Sequence, residues 1–589
     1  MRRFRRVLLY FLRYRRELAI GAGALFVASL LDIGIPLIVA RAINRLVKGI
    51  REGGDAPGEP LGRFLLLSLA LLVGLTAVKG FFRFWQRRLL VGVSRKVESD
   101  LKKDFFAHLT TLSLPFFARS RTGDLLSRAT ADVEAVRLFL GPGSMYAAST
   151  LLLVPVALAA MLVFHPLLTA LVAVPLAALA WSMKRITPEL NRHSEAVQAR
   201  LSEMSERAQE NFAGVRVVKG FHREAWEIER FGAVADAYRA HQLDLGRARA
   251  LNHMVLHAAR DAAVLLILVV GGLGVARGTF TLGGMYLFLD YVNRLFWPLI
   301  ALGWMAGMYH RAAAGMDRIE EVFRTAPEIG EPKSPARVEA IAGAIEFRGL
   351  TFAYDGEPVL RGVSLLVKPG ETVGIVGRIG SGKTTLVSLL GRLFPVPDGS
   401  IFVDGEDVNR IPLRRLREAI GYVPQDAFLF SDTIRENIAF GFDDPPDPAA
   451  VARAAEQAGL GPDLPAFPSG LDTLIGERGV TLSGGQRSRV SIARATLRRP
   501  KILVLDDVLS AVDTETEVVI LENLRGSARG STVLLVAQRL SAVEGADRIV
   551  VLDRGSIVEE GTHAQLLSRG GWYARTVRRQ RLEGELERI

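Results

Sequence analysis

The sequence has no cysteine in 589 residues. That absence excludes a disulfide framework and any zinc or iron–sulfur site held by thiolates, and with them the small secreted domains that depend on cross-links. No small-residue cleavage site precedes the first apolar run at Leu18, and that run is about as long as a membrane span, so the N-terminus does not read as a cleaved leader. No long polar segment between the apolar stretches is suited to capture ligand outside a membrane.

Hydrophobic residues make up 49% of the chain and charged residues 23%, with a formal net charge of +12. At about 150 residues per domain the length implies several domains. Mean hydropathy is positive, unusual for a soluble enzyme of this length, and the apolar residues cluster in the first half. Basic charge suits nucleic acid or an anionic lipid surface, and its placement decides between them. The opening run MRRFRRVLLYFLRYRRE interleaves Arg with Phe, Leu and Tyr at helical spacing, which predicts an interfacial helix over residues 1–16 with arginines toward lipid phosphate. The expected partner is therefore a bilayer and not nucleic acid.

Six stretches approach the roughly 20 residues that cross a hydrocarbon core. They run from Leu18 to Ile43, Phe64 to Phe82, Met145 to Phe164, Leu167 to Met183, Met254 to Ala276 and Leu282 to Met308. Only His165-Pro166 separates the third from the fourth, and a few residues around Gly278 the fifth from the sixth, so both pairs are expected as tight hairpins. The longer connections carry charges at helical spacing and predict helices extending well past the bilayer. Their Lys and Arg residues, with the basic N-terminus, place that side and both termini in the cytoplasm of a plasma (inner) membrane protein. Asp32, Lys79, Arg260, Asp261, Asp290 and Arg294 fall inside the stretches, where an ionisable group needs a partner or a wet cavity, and mark an expected polar path.

A charged, Pro-containing linker over 326–343 then separates a transmembrane domain, 17–325, from a second domain, 344–580, with a charged tail at 581–589. In that domain ETVGIVG is a β-branched strand leading into Gly377, Arg378, Ile379, Gly380, Ser381, Gly382, Lys383, Thr384 and Thr385, followed by a helical pattern. This is a P-loop in its required context: glycines let successive N–H groups face phosphate, Lys383 reaches the β and γ phosphates, and the Thr384 hydroxyl ligates Mg²⁺. KILVLDD reads as a buried strand delivering Asp506 to Mg²⁺. In LSGGQRSRVSIARA a Ser and two glycines open an amphipathic helix whose N-terminus can accept an anion.

Tyr354, the P-loop, Gln425 in GYVPQD, LSGGQ, LVLDD and LSAVD occur in that order, and in this order they resemble the nucleotide-binding domain of an ABC transporter. With six spans ahead of it, nearly the whole chain resembles a half-transporter of the heterodimeric ABC exporters. The fold implied is a membrane α-helical bundle of ABC exporter type, six spans with long cytoplasmic extensions, followed by an α/β P-loop ABC ATPase domain. RTGDLLSRATADVEAV and GVRVVKGFHREAWEIERF resemble the family's two coupling regions, and Gly476-Glu477-Arg478-Gly479 the segment that meets them. The resemblance implies ATP and Mg²⁺, with Tyr354 stacking on adenine and Gln425 sensing Mg²⁺ and the γ-phosphate. Ser483, Gly484, Gly485 and Gln486 would clamp nucleotide held by the opposite subunit.

Two positions depart from the family pattern: Asp507 stands where Glu normally follows the Mg²⁺-binding Asp, and Gln538 stands for the switch His. Asp is one methylene shorter, setting its carboxylate roughly 1.5 Å back from the attacking water. Gln hydrogen-bonds but carries no charge. The expectation is a slow or inactive catalytic site at Asp507 and Gln538, and a second half-transporter that supplies Glu and His. The pair would export amphipathic drugs, peptides or lipids. The competing readings are an ATP-binding membrane regulator or receptor without transport, and a soluble ABC ATPase, which the six apolar stretches exclude.

Overall fold

The computed structural model describes residues 4–51, 61–476, 482–512, 514–527 and 530–586. The chain forms two compact units, residues 1–110 with 121–325, and residues 111–120 with 326–589.

The first unit is helical. Helix α1 (Arg5–Arg13) buries Val7 and Tyr10 and is fixed by its polar residues. Arg6 pairs with Glu320 at 2.9 Å, and Tyr10 donates to Asp104. Helices α2 (Arg15–Arg51) and α3 (Leu61–Thr111) follow, then the continuous helical segments α4 (Thr122–Phe164), α5 (Pro166–Ala213) and α6 (Glu224–Ala276), and finally α7 (Leu282–Arg324). Five of them, α2 to α6, are long and apolar enough among the described residues to cross a membrane. Helix α7 holds the sixth expected stretch; its side chains at 299, 300, 302 and 303 lie outside the description. At 1.5 Å per residue the 48 residues of α5 extend roughly 70 Å, more than twice a hydrocarbon core.

Both hairpins form at the expected places. His165 caps α5, its ring accepting from the Leu168 N–H at 3.2 Å, with Pro166 in the first turn where no N–H is needed. Gly278 takes a positive φ of 74° in the turn before α7. Helices α5 and α6 pack along their length, joined through a short helix at Val215–Gly220. The apolar centre of the unit gathers Ile33, Met161, Leu168, Ile267, Leu287 and Phe288, and Tyr291 satisfies its buried hydroxyl on the Ile33 carbonyl at 2.9 Å.

The second unit contains two sheets. A four-stranded antiparallel sheet has the order β2-β1-β4-β5, from β1 (Ile345–Phe352), β2 (Leu360–Val367), β4 (Ile401–Val403) and β5 (Glu406–Asp407). A six-stranded sheet has the order β10-β9-β3-β8-β7-β6. Its strands are β3 (Thr372–Gly377), β6 (Ile420–Val423), β7 (Ile502–Asp506), β8 (Thr532–Val536), β9 (Arg548–Asp553) and β10 (Ser556–Gly561). All neighbours run parallel except β10 on β9. Strand β7 is buried at every residue, as a parallel strand covered on both faces must be. Its alternate residues feed two separate cores, Leu503 and Leu505 one, Ile502 and Val504 the other.

Candidate nucleotide site

The order β3-β8-β7-β6 sets four chain ends side by side along the carboxyl edge of the parallel sheet, where open α/β sheets bind ligands. Strand β3 runs into the P-loop, β8 ends two residues before Gln538, β7 ends at Asp506, and β6 ends two residues before Gln425. The register pairs Ile375 and Asp506 with Val536 on either side. Asp507 N–H then bonds to the Val536 carbonyl at 3.0 Å, and Ala537 N–H to Ile375 at 3.1 Å. Residues far apart in sequence thereby meet around one cavity of about 200 Å³, lined by Lys383, Thr384, Gln425, Asp507 and Gln538 among others.

The loop closes because a Cβ has no room in it. At Gly377, φ 151°, an added Cβ would lie 2.0 Å from the Leu552 carbonyl oxygen, and at Gly382, φ 99°, 2.8 Å from Leu360. Gly382 leads directly into α8 (Lys383–Leu390), so the helix N-terminus opens on the loop. The Lys383 ammonium donates to the carbonyls of Gly377 and Arg378, each at 2.9 Å, and burial pulls its pKa down against the opposing charges of Asp507 and Asp506. The Ser381 hydroxyl is buried in the loop without a partner among the described residues, while Ile379 is exposed.

Asp506 is fully buried. Its carboxylate accepts from the Thr384 hydroxyl at 3.0 Å and from the Tyr422 hydroxyl at 3.3 Å, and burial raises its pKa above the usual carboxylate value. Burial also pushes Tyr422 up to about 12, so it stays a proton donor. Sequence reasoning passed over Tyr422, although its place three residues before Gln425 on a strand beside β7 was the available signal. Thr384 and Asp506 form the hard-oxygen pair that Mg²⁺ takes when phosphates supply the rest of its shell, and the unpaired Ser381 hydroxyl and the Cβ-free cradle fit a phosphate ligand.

Asp507 adopts a left-handed backbone, φ 50° and ψ 25°. Its Oδ2 accepts from Gln538 Nε2 at 2.6 Å and from Gln425 Nε2 at 3.4 Å. Burial raises its pKa, and the Gln538 bonds and the Lys383 and Arg539 charges oppose that rise.

Tyr354 stands beside this cavity. Its hydroxyl meets Thr385 Oγ1 at 3.0 Å and its ring packs edge-on against Phe394, with centroids 4.9 Å apart. Ser483 caps α9 (Gly484–Leu497) in a reciprocal box: its hydroxyl accepts from Gln486 N–H at 3.2 Å and its N–H donates to Gln486 Oε1 at 2.9 Å. Asp463, not singled out from sequence, fixes the Gln486 amide at 2.9 Å. None of Ser483, Gly484, Gly485 and Gln486 lines the P-loop cavity. Glu477, Arg478, Gly479 and Asp513 lie outside the described residues.

Of the charges expected in the spans, four converge in the first unit. Asp32 Oδ1 accepts from Lys79 at 3.0 Å and from Arg294 at 3.3 Å, and Arg294 also donates to Asp290. Arg260 and Asp261 pair with each other at 3.1 Å and stand apart from that cluster.

Comparison with known proteins agrees with both units. Residues 18–299 match the ABC transporter transmembrane region and residues 360–510 the ABC transporter ATP-binding family model. The chain is 34% identical to the multidrug resistance-like ATP-binding protein MdlA of Escherichia coli, covering 100% of this chain and 98% of that protein. It is 32% identical to an ATP-dependent lipid A-core flippase of Syntrophus aciditrophicus, covering 97% and 93%. The structure of a bacterial Atm1-family ABC exporter with ATP bound superposes with a TM-score of 0.76 at 30% identity, covering 96% of this chain and 98% of that one. The chain therefore belongs to the ABC transporters, as an exporter half-transporter with a transmembrane domain fused to an ATP-binding domain.

Proposed function

We propose that this chain is the low-turnover half of a heterodimeric ATP-driven exporter, holding nucleotide at its own P-loop and lending its signature helix to a more active partner. The observation that carries this reading is the state of Asp507, whose Oδ2 is held by the Gln538 and Gln425 amides. A carboxylate acts as a general base only within hydrogen-bond reach of the water it deprotonates. This one is short and already engaged, and the switch position offers an amide in place of an imidazole that could carry charge to the γ-phosphate.

The nucleotide-holding parts are intact. The P-loop N–H groups and Lys383 bind and orient the phosphates, Tyr354 offers a face for adenine, and Thr384, Asp506 and Gln425 would hold Mg²⁺. Bound there, Mg²⁺ neutralises charge on the phosphate oxygens. Ser483, whose hydroxyl donates to no partner among the described residues, and the α9 N-terminus present an anion-binding edge away from the chain's own cavity. In a head-to-tail pair that edge completes the partner's site, where Glu and His do the chemistry. Closure of the paired ATP-binding domains moves the coupling segments and switches the spans from inward-facing to outward-facing. Both termini lie in the cytoplasm, the membrane is the plasma (inner) membrane, and the cargo is amphipathic: a drug, peptide or lipid. The names of relatives, multidrug resistance-like protein and lipid A-core flippase, support that cargo class.

The test is to purify the chain alone and with the untagged half-transporter that accompanies it, then measure ATP turnover in both. Low turnover alone and high turnover in the pair is the expected result. Brisk turnover by the chain alone refutes the asymmetry.

A further inference from the structure

The last helix of the chain, α10 (Trp572–Leu586), reaches back to the nucleotide site. Tyr573 and Val577 anchor it in the core that holds Leu503 and Leu505, and Glu559 on β10 accepts the N–H groups of Trp572 and Tyr573, which a first helical turn leaves unpaired. Gln580 stands on the same face, at i, i+4, i+7 spacing from Tyr573 and Val577. Its amide grips the backbone on both sides of Arg539: Oε1 accepts from the Leu540 N–H at 3.0 Å, and Nε2 donates to the Gln538 carbonyl at 3.1 Å. Leu540 opens a short helical turn, Leu540–Val543, so its N–H has no partner within that turn. Between the two gripped groups the Arg539 guanidinium donates to the Val512 carbonyl at 3.1 Å and lies 3.6 Å from the buried Glu517 carboxylate. The backbone of 538–540 is thus held by α10 and by Arg539, while the Gln538 side chain reaches into the P-loop cavity and donates to Asp507 at 2.6 Å.

We infer that Gln580 is a positioning residue of the nucleotide site and that, through Gln538, the last helix helps the site tell ATP from ADP. An amide nitrogen carries two N–H groups, and Asp507 takes one from Gln538, so the second is left for a phosphate oxygen. Gln538 lines the same cavity as Lys383, whose ammonium serves the β and γ phosphates. ADP lacks the outermost phosphate and gains nothing from where residue 538 stands. Fixing the backbone at 538 beforehand spares ATP part of the ordering cost of that contact. Neither of the two Gln580 hydrogen bonds goes to the P-loop, so its effect passes through residue 538. The inference rests on this chain's P-loop holding ATP, and not on which half of a pair turns it over.

The experiment uses the full chain alone in phosphatidylcholine nanodiscs with Mg²⁺. A fluorescent ADP derivative is displaced by ADP or by adenylyl imidodiphosphate, which carries the third phosphoryl group and is not hydrolysed. Gln580→Leu and Gln580→Ala both remove the two hydrogen bonds, the first while keeping most of the bulk. Each should raise the half-displacing concentration of the imidodiphosphate about tenfold, the lower end for a hydrogen bond to a charged group, and move that of ADP by less than about twofold. Gln538→Ala should produce the same split, and adding Gln580→Leu to it should cause no further loss, because the two residues act as one unit. An equal loss for both nucleotides marks Gln580 as a prop for the fold and overturns the inference, as does a further loss in the double variant. A wild-type chain that binds neither nucleotide overturns the inference together with the ATP-holding reading beneath it. Nucleotide binding with an unchanged ratio in the Gln580 variants overturns the positioning role alone.

Discussion

Restoring the two departed side chains offers the sharpest perturbation. In Asp507→Glu the added methylene carries the carboxylate roughly 1.5 Å toward the γ-phosphate, yet Gln538 can follow it and keep donating. A hydrogen bond to a charged group contributes about 1.5–3 kcal/mol, so withdrawing the acid from an amide now 2.6 Å away costs about 10- to 150-fold in rate. A positioned general base is worth about 10²–10⁴-fold, of which that engagement takes about 10- to 150-fold. The single variant should therefore gain only about 10- to 70-fold in turnover. Asp507→Glu with Gln538→His removes the competing amide and supplies an imidazole, and should gain about 100-fold or more, a strongly non-additive pair. Single-turnover hydrolysis of ATP by the purified chain measures both. Full recovery in the single variant, or none in the double, would show that the Gln538–Asp507 bond does not hold the site back.

Asp507→Asn keeps an oxygen acceptor for Gln538 and should leave transport by the assembled pair within tenfold of wild type in inside-out vesicles; a larger loss contradicts the low-turnover assignment. Ser483→Arg removes the cap of α9 and fills its N-terminus with a cation, and should cripple turnover of the pair; retained activity opposes the head-to-tail arrangement. Asp506 has a folded pKa raised above its ordinary 3.8 by burial, so the protonated form favours folding below that value and the advantage is lost as pH rises through the folded pKa. Asp506→Asn should accordingly raise the nucleotide-free melting temperature at neutral pH, with the gain shrinking as pH falls toward 3.8, and should abolish the extra stabilisation by Mg²⁺ and ATP. A variant that melts lower at neutral pH would contradict the burial argument.

Local signals carried much of this architecture. The spans were legible because a bilayer demands a minimum apolar length, and the helical extensions because charges recur at helical spacing. The P-loop was legible because strand, glycines and helix follow without interruption. Contacts across long separations were not. Lys79 and Arg294 reach Asp32 from helices 47 and 262 residues away, and a sequence shows that each charge is costly without showing which partner relieves it. Tyr422 meets Asp506 only through the register of β6 on β7. Thr111–Ser120 begins at the last residue of α3, yet it packs with the ATP-binding unit, where Arg119 pairs with Asp355 at 2.7 Å. A short segment carries too little periodicity to announce such an allegiance.

The left-handed turn at Asp507 has an evolutionary consequence. Short side chains with a local acceptor, Asp and Asn above all, settle in that conformation more readily than longer acids. Once the shorter acid occupies the turn, it sits in a backbone that suits it, and a reversion to Glu meets a conformational penalty before any gain in chemistry. Because the neighbouring amide withholds that gain until it too has changed, neither reversal is favoured first. If the site is the low-turnover one proposed above, its lost activity behaves as a ratchet, and descendants of the chain are expected to keep the proposed division of labour and not to drift back toward equivalence.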